Sequence, residues 1–233
     1  MKLADQLTDY INAAFTGLWI QSFEPDEAER EIIQHARQKK WKMAVWDVAN
    51  GLRLPGSPDA KTDAGSGDPL AALRALPALG DKDGTALLLL HNLHRFLNNP
   101  EVIQTTFIQL IVGKQQRTFV VVLAPVVQIP VELEKLFVVI EHALPDREQL
   151  ERIASELVSE HPDDMPKGED LQRVLDAAAG LTRYEAEGAF ALSLTRNNAI
   201  QPQAIWELKA QTLRKNNLLN LHRGRRALSR LAG

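Results

Sequence analysis

The stretch TFVVVLAPVVQIPVELEKLFVVIEHALPDREQLERI, residues 118–153, decides the fold. Thr118–Ala124 is apolar at nearly every position, as a strand covered on both faces of a parallel sheet must be. After a connection holding Pro125 and Pro130, Phe137–Ile140 (FVVI) reads as a second, shorter strand. Leu144-Pro145-Asp146 then closes the strand pattern. Asp146 and Gln149 make a capping pair, and Leu150, Ile153, Ala154 and Leu157 fall on one face of the helix that follows. Strand, connection, strand, helix is the order of an α/β protein.

Working towards the amino terminus, the same alternation continues. Thr16–Ser22 (TGLWIQS) reads as a buried strand and Glu24–Lys39 as a helix. Pro25 suits its first position, Asp26, Glu27 and Glu29 complement the positive helix end, and Ala28, Ile32, Ile33 and Ala36 share a face. Met43–Asp47 is a strand, Gly51–Pro69 a flexible Gly/Pro/Ser/Asp loop, and Ala86–His91 (ALLLLH) a fully apolar strand. Asn99-Pro100 opens another helix, with Val102, Ile103, Phe107, Leu110 and Ile111 expected to face inward. The order predicts a doubly wound parallel sheet of five strands.

Towards the carboxyl terminus the strands stop. His161–Gly168 reads as a loop, Leu171–Ala179 as a helix ending at Gly180, and Gln203–Lys215 as a final helix. Between them Thr182-Arg183-Tyr184-Glu185 is a capping box, with Leu181 and Ala186 placed as a hydrophobic staple before Ala189, Phe190 and Leu194. The expected domains are an α/β core at 1–146, a helical lid at 147–221 and a basic tail or linker at 222–233. No internal repeat is visible.

Composition narrows the class of protein. With 45% hydrophobic and 24% charged residues the chain is an ordinary globular one. Nothing approaches the ~18 apolar residues of a membrane helix, and MKLADQLTDY has no apolar core of a signal peptide. The absence of cysteine excludes disulfides, thiolate metal sites and cysteine nucleophiles, and fits a reducing, cytoplasmic setting. The net charge of −3 is uneven. From Trp206 to Gly233 seven Lys/Arg face the single acid Glu207, a local +6, so the remainder carries −9. A basic end on an acidic body suggests an interaction tail or a junction.

Three passages resemble a known family. VVVLAPVVQIPVELEKLFVVIEHALPDREQLERI is similar to the AAA+ run from the fourth strand into the fifth and on to the lid. AAAGLTRYEAEGAFALSL is similar to the lid helix that opens with Gly-Leu-Thr. The whole chain, including WDVANGL and LLLLHNLHRFLNNPEVIQ, resembles the amino-terminal half of the AAA-domain proteins of chloroplast genomes, cyanobacteria and other bacteria. The resemblance implies a degenerate AAA-like half, followed in that family by a half with a working ATP site. LLNLHRGRRALSRLAG, at the end, resembles the linker where that second half begins.

The resemblance locates a nucleotide site, and the residues there are wrong for one. A phosphate loop needs G-x-x-x-x-G-K-[ST], whose glycines let backbone N–H groups cradle phosphate while lysine neutralises charge and the hydroxyl holds magnesium. This chain has SFEPDEAER instead, with Glu24, Asp26 and Glu27 and no glycine or lysine. Gly113-Lys114 precedes a strand, the wrong context. An acidic pair is expected after the third core strand; His91 and Asn92 stand there, and a neutral imidazole is a poor magnesium ligand. Leu123-Ala124-Pro125 replaces the polar end of the fourth core strand, and no arginine lies between Pro130 and Glu141 to act as a finger. Glu24, Asp26, Glu27, His91, Asn92 and the lid arginine Arg183 are therefore vestigial-site positions.

Other sites are weaker. His91 and His94 stand three apart, but the first ends a strand, so a shared metal is not expected. No G-x-S-x-G elbow is present. The arginines Arg223, Arg225, Arg226 and Arg230 could meet nucleic-acid phosphates, though no aromatic residue is interleaved with them. The expectation is a chain with no catalytic residue, cofactor or metal of its own. It would act as a regulatory or assembly module for a catalytic AAA+ domain in cis or trans, which alone would hold ATP and magnesium. Homo-oligomers are compatible with this. The alternatives are a weak, unconventional nucleotide-binding domain and a nucleic-acid-associated scaffold using the basic end.

Overall fold

A computed structural model describes residues 2–56, 67–80, 84–159 and 162–215. It divides into two compact units, Met1–Ala143 and Leu144–Gly233.

Among the described residues the first unit is built on six strands: β1 (Gly17–Gln21), β2 (Lys42–Asp47), β3 (Gly51–Arg53), β4 (Ala86–His91), β5 (Thr118–Ala124) and β6 (Phe137–Glu141). Their spatial order is β3-β2-β4-β5-β1-β6, and every pairing is parallel except β2 with β3. β1 lies between β5 and β6, with Gly17 opposite both Val120 and Phe137. Two helices, α1 (Leu3–Asn12) and α2 (Pro25–Gln38), cover one face. There Leu7, Ile11, Ala28 and Ile32 pack on Leu18, Ile20, Leu89 and Val121. The other face is covered by α3 (Pro69–Leu79) and α4 (Pro100–Gln116), where Leu73, Leu76, Val102 and Leu110 meet Trp19, Trp46, Leu88 and Val122. Successive side chains of a strand point to opposite faces, so the run of apolar residues in β4 and β5 feeds both layers at once.

Close approach explains two glycines. A Cβ on Gly113 would stand 2.3 Å from the Thr118 carbonyl oxygen, and one on Gly17 would stand 2.6 Å from that of Leu136. Each lies where a chain passes from one layer into the next.

Four sequence expectations are corrected. The sheet has six strands, because Gly51–Arg53, expected in a loop, returns antiparallel to β2 through a turn in which Asp47 accepts the amides of Ala49 and Asn50. The far end of that loop is also structured: Asp68 caps α3 by accepting from the Leu70 amide, and Pro69 takes the first helical position. Residues 57–66, the rest of the expected loop, lie outside the described residues. On α4 the buried positions are Val102, Thr106, Leu110 and Gly113. Phe107 and Ile111, expected inside, are exposed, because apolar residues are scattered around that helix and its periodicity does not single out a face. Leu157 is likewise exposed, at the last residue of its helix.

The second unit comprises α5 (Arg147–Leu157), α6 (Gly168–Ala178), α7 (Arg183–Asn197) and α8 (Pro202–Lys215), with a 3-10 turn at Pro162–Asp164. Leu150, Ile153, Val174, Leu175, Leu181, Phe190 and Ile205 form its core. Both expected capping boxes are present, Asp146 with Gln149 and Thr182 with Glu185. The basic run at 222–233 lies outside the described residues.

Candidate functional site at the carboxyl edge of the sheet

In open parallel sheets, ligands bind beyond the carboxyl ends of the strands. Here that edge is formed by the ends of β1, β4, β5 and β6 and the first turns of α2. Two hydrogen-bonded clusters occupy it, and both are anchored on α2.

The first cluster centres on Glu29. Its carboxylate accepts two hydrogen bonds from the Arg53 guanidinium, at 2.7 and 2.9 Å, in the bidentate geometry that suits this pair. It also lies 2.6 Å from Nε2 of His91, whose ring N–H donates because an ionised carboxylate can only accept. Arg53 further pairs with Asp47 at 3.7 Å. Burial alone would raise the Glu29 carboxyl. The hydrogen bonds from His91 and Arg53 outweigh it and hold the group at about 2, down from 4.5. Burial also pushes Asp47 up, but the hydrogen bonds of Asn50 and Ala49 and the charge of Arg53 bring it below its ordinary value. The Glu29 carboxylate in turn raises the Arg53 guanidinium. The cluster thus ties α2 to β3 and to the end of β4.

The second cluster centres on Ser22. The Ser22 amide donates to the Ala124 carbonyl at 3.0 Å, and Ser22 Oγ accepts the Glu24 amide at 2.9 Å. Ser22 Oγ is 2.8 Å from Nδ1 of His142, and Nε2 of that ring is 3.7 Å from Glu31. Glu31 also accepts the Ala4 amide, and the neighbouring His142 ring is the main cause of its lowered pKa. Serine, imidazole and carboxylate stand in the order of a hydrolytic relay. Ser22 is only 2% exposed, however, and its oxygen is already engaged by the turn it supports. The cluster is a packed cross-link between β1, β6, α1 and α2, with no approach for a substrate carbonyl.

The vestigial-site positions separate accordingly. His91 belongs to the Glu29 cluster. Asn92, beside it, adopts the left-handed conformation (φ 54°), and its amide donates to the Leu123 carbonyl, ahead of the 3-10 turn Leu93–Arg95. Glu24 is buried before the first residue of α2, and Asp26 and Glu27 lie in its first turn, where Glu27 pairs with Arg30. Arg183 belongs to the helical unit and holds Glu156 at 2.8 Å and Glu187 at 2.7 Å. His94 is buried in the 3-10 turn, away from the pairing made by His91, and burial lowers its pKa. Among the described residues no group of three His, Cys, Asp or Glu side chains could hold a metal ion. None of their helices is long and apolar enough to cross a membrane.

Sequence reasoning missed Glu29, Glu31, Arg53, Ser22 and His142. One signal was available: Glu29 and Glu31 flank the apolar stripe of α2, and a carboxylate at the margin of a buried face needs a partner.

A mostly parallel sheet with helices on both faces, followed by a helical unit, defines this class: an α/β domain of AAA+ type. The chain belongs to the SpoVK-like AAA ATPase family, matching its N-terminal domain over residues 3–142 and its second domain over residues 148–216. No curated protein matches it. Among solved structures it resembles Caenorhabditis elegans PCH-2 at 13% identity and TM-score 0.51, covering 92% of this chain and 66% of that one. Thermotoga maritima RuvB T158V is similar at 15% identity and TM-score 0.53, with 88% and 67% covered. The Aeropyrum pernix ORC2 protein is similar at 14% identity and TM-score 0.53, with 94% and 67% covered. The chain thus spans about two thirds of each. At these identities the likeness carries the fold.

Proposed function

We propose that this chain is a non-hydrolytic member of its family, a regulatory or assembly module for an AAA+ domain with an intact ATP site, in cis or in trans. The observation that carries the reading is the Glu29 cluster. A magnesium-binding acid would stand at the end of β4; His91 stands there, and its Nε2 is spent on Glu29. Glu24 stands just before α2 and Asp26 and Glu27 lie in its first turn, and the charges of these carboxylates oppose a triphosphate. A domain that keeps the packing framework of a nucleotide-binding fold without its phosphate chemistry retains surfaces for docking. Placing the chain beside the chloroplast and cyanobacterial AAA-domain proteins belongs to the same proposal.

The test has two arms. Purified chain is expected to show no ATP turnover with or without magnesium, and no thermal shift with ATP. Mixed with an ATP-competent domain of the same family, it is expected to co-elute by light scattering or to change that domain's ATPase rate. Turnover by the chain alone, or failure of both effects on mixing, overturns the reading. A salt-dependent shift of DNA or RNA would instead favour the scaffold reading of the basic end.

A further inference from the structure

The same sheet edge carries an apolar surface that the two buried clusters do not use. Phe23, in the turn between β1 and α2, is 66% exposed, and Val126 and Val127, just past β5, are exposed on the adjoining loop. The two loops are stitched together. Trp19 Nε1 donates to the Val126 carbonyl at 3.0 Å, Gln21 Nε2 to that of Pro125 at 3.2 Å, and the Ser22 amide to that of Ala124. Phe23 and the valines are therefore displayed on a fixed backbone. Acids border them: Asp26 is exposed on the first turn of α2, and exposed Glu141 ends β6 opposite Gln21. Glu27 is partly neutralised by Arg30.

The chain itself contains a complement of this chemistry. Residues 216–233 hold Leu218, Leu219, Leu221, Leu228 and Leu231 with Arg223, Arg225, Arg226 and Arg230, and no acid. We infer that the acidic, apolar edge around Phe23 receives the basic, leucine-bearing segment 216–233 of a second copy of this chain. Leucines replace water over Phe23, Val126 and Val127, while the arginines meet Asp26 and Glu141. The two surfaces differ, so the contact is head-to-tail and leaves one free surface of each kind on every pair. Exposed charges steer it, so it weakens with salt. It stands whether or not the chain hydrolyses ATP.

Complementary loss tests this. A surface variant, Asp26→Lys with Glu141→Lys, keeps the segment intact. A segment variant, Arg223→Glu with Arg225→Glu and Arg226→Glu, keeps the surface intact. Light scattering of the full unmodified chain at low salt is expected to show mass rising with concentration. Salt at about 0.5 M, where the Debye length is roughly 4 Å, should reverse the rise. Each variant alone is expected to associate at least about ten-fold more weakly. Mixed, they should associate again, because the surviving surface of one meets the surviving segment of the other and the two reversed faces carry opposite charges. That pairing would also show that both variants fold. A chain that stays monomeric at low salt, variants that associate as before, or a mixture that does not pair overturns the inference.

Discussion

Replacing Glu29 by glutamine removes one charge at the point where α2, β3 and β4 are joined. The amide keeps the shape and one carbonyl acceptor, but leaves Arg53 and His91 facing a neutral group. Glu29 lies at about 2 in the folded chain against 4.5 ordinarily. Each unit corresponds to ~1.4 kcal/mol, which sets a ceiling near ~3 kcal/mol. The Arg53 side chain is 35% exposed, so solvent screens part of this, and about 2 kcal/mol is the expected cost at pH 7. For a chain of this size that is a fall in Tm of roughly 4–8 °C. Because the folded carboxyl is depressed, its contribution is complete above about pH 5 and fades as the pH falls from 4.5 towards 2. The gap between wild type and Glu29→Gln in thermal melts followed by circular dichroism should therefore be widest at about pH 7 and about half as large at about pH 3. Equal melts at neutral pH, or a gap that does not narrow in acid, would refute the role given to this carboxylate.

Thr182→Ala removes the side-chain half of the α7 capping box and is expected to cost about 1 kcal/mol, read in urea titrations, while Thr182→Ser should restore most of it. Gly113→Ala places a methyl group 2.3 Å from the Thr118 carbonyl oxygen, so α4 or β5 must move. About 1–3 kcal/mol of destabilisation is expected, and an unchanged melt would show that the two elements are less tightly seated than described.

The strands were legible because their apolar runs are long and bounded. Thr118–Ala124 and Ala86–His91 match the observed β5 and β4 residue for residue. The capping pairs were legible because they are local chemistry at fixed spacing. α3 was hidden by composition: PLAALRALPAL is apolar almost throughout and carries Pro77, and only its Asp68-Pro69 start marks a helix. α1 hid in a passage weighed as a possible leader, although Leu3, Leu7 and Ile11 are spaced for one buried face. β3 was hidden because three residues show no period, and Arg53 owes its place to Glu29, 24 residues away in sequence. The edge clusters have the same origin. Ser22 and His142 are 120 residues apart, and only the strand order β5-β1-β6 brings them together.

That strand order has a consequence for the newborn chain. β1 is complete by residue 21, yet its partners in the sheet are β5, which begins at Thr118, and β6, which begins at Phe137. No local hairpin shelters Leu18 and Ile20 in the meantime. Parallel neighbours so distant must close a long loop before any contact rewards it, and such pairing is slow. Translation at roughly 5–20 residues per second leaves this strand without its neighbours for several seconds while the intervening chain emerges. The unit cannot assemble from its amino end outward. Its first strand has to wait for the last two to arrive, and a transcript cut before residue 118 encodes that strand with nothing on either side to receive it.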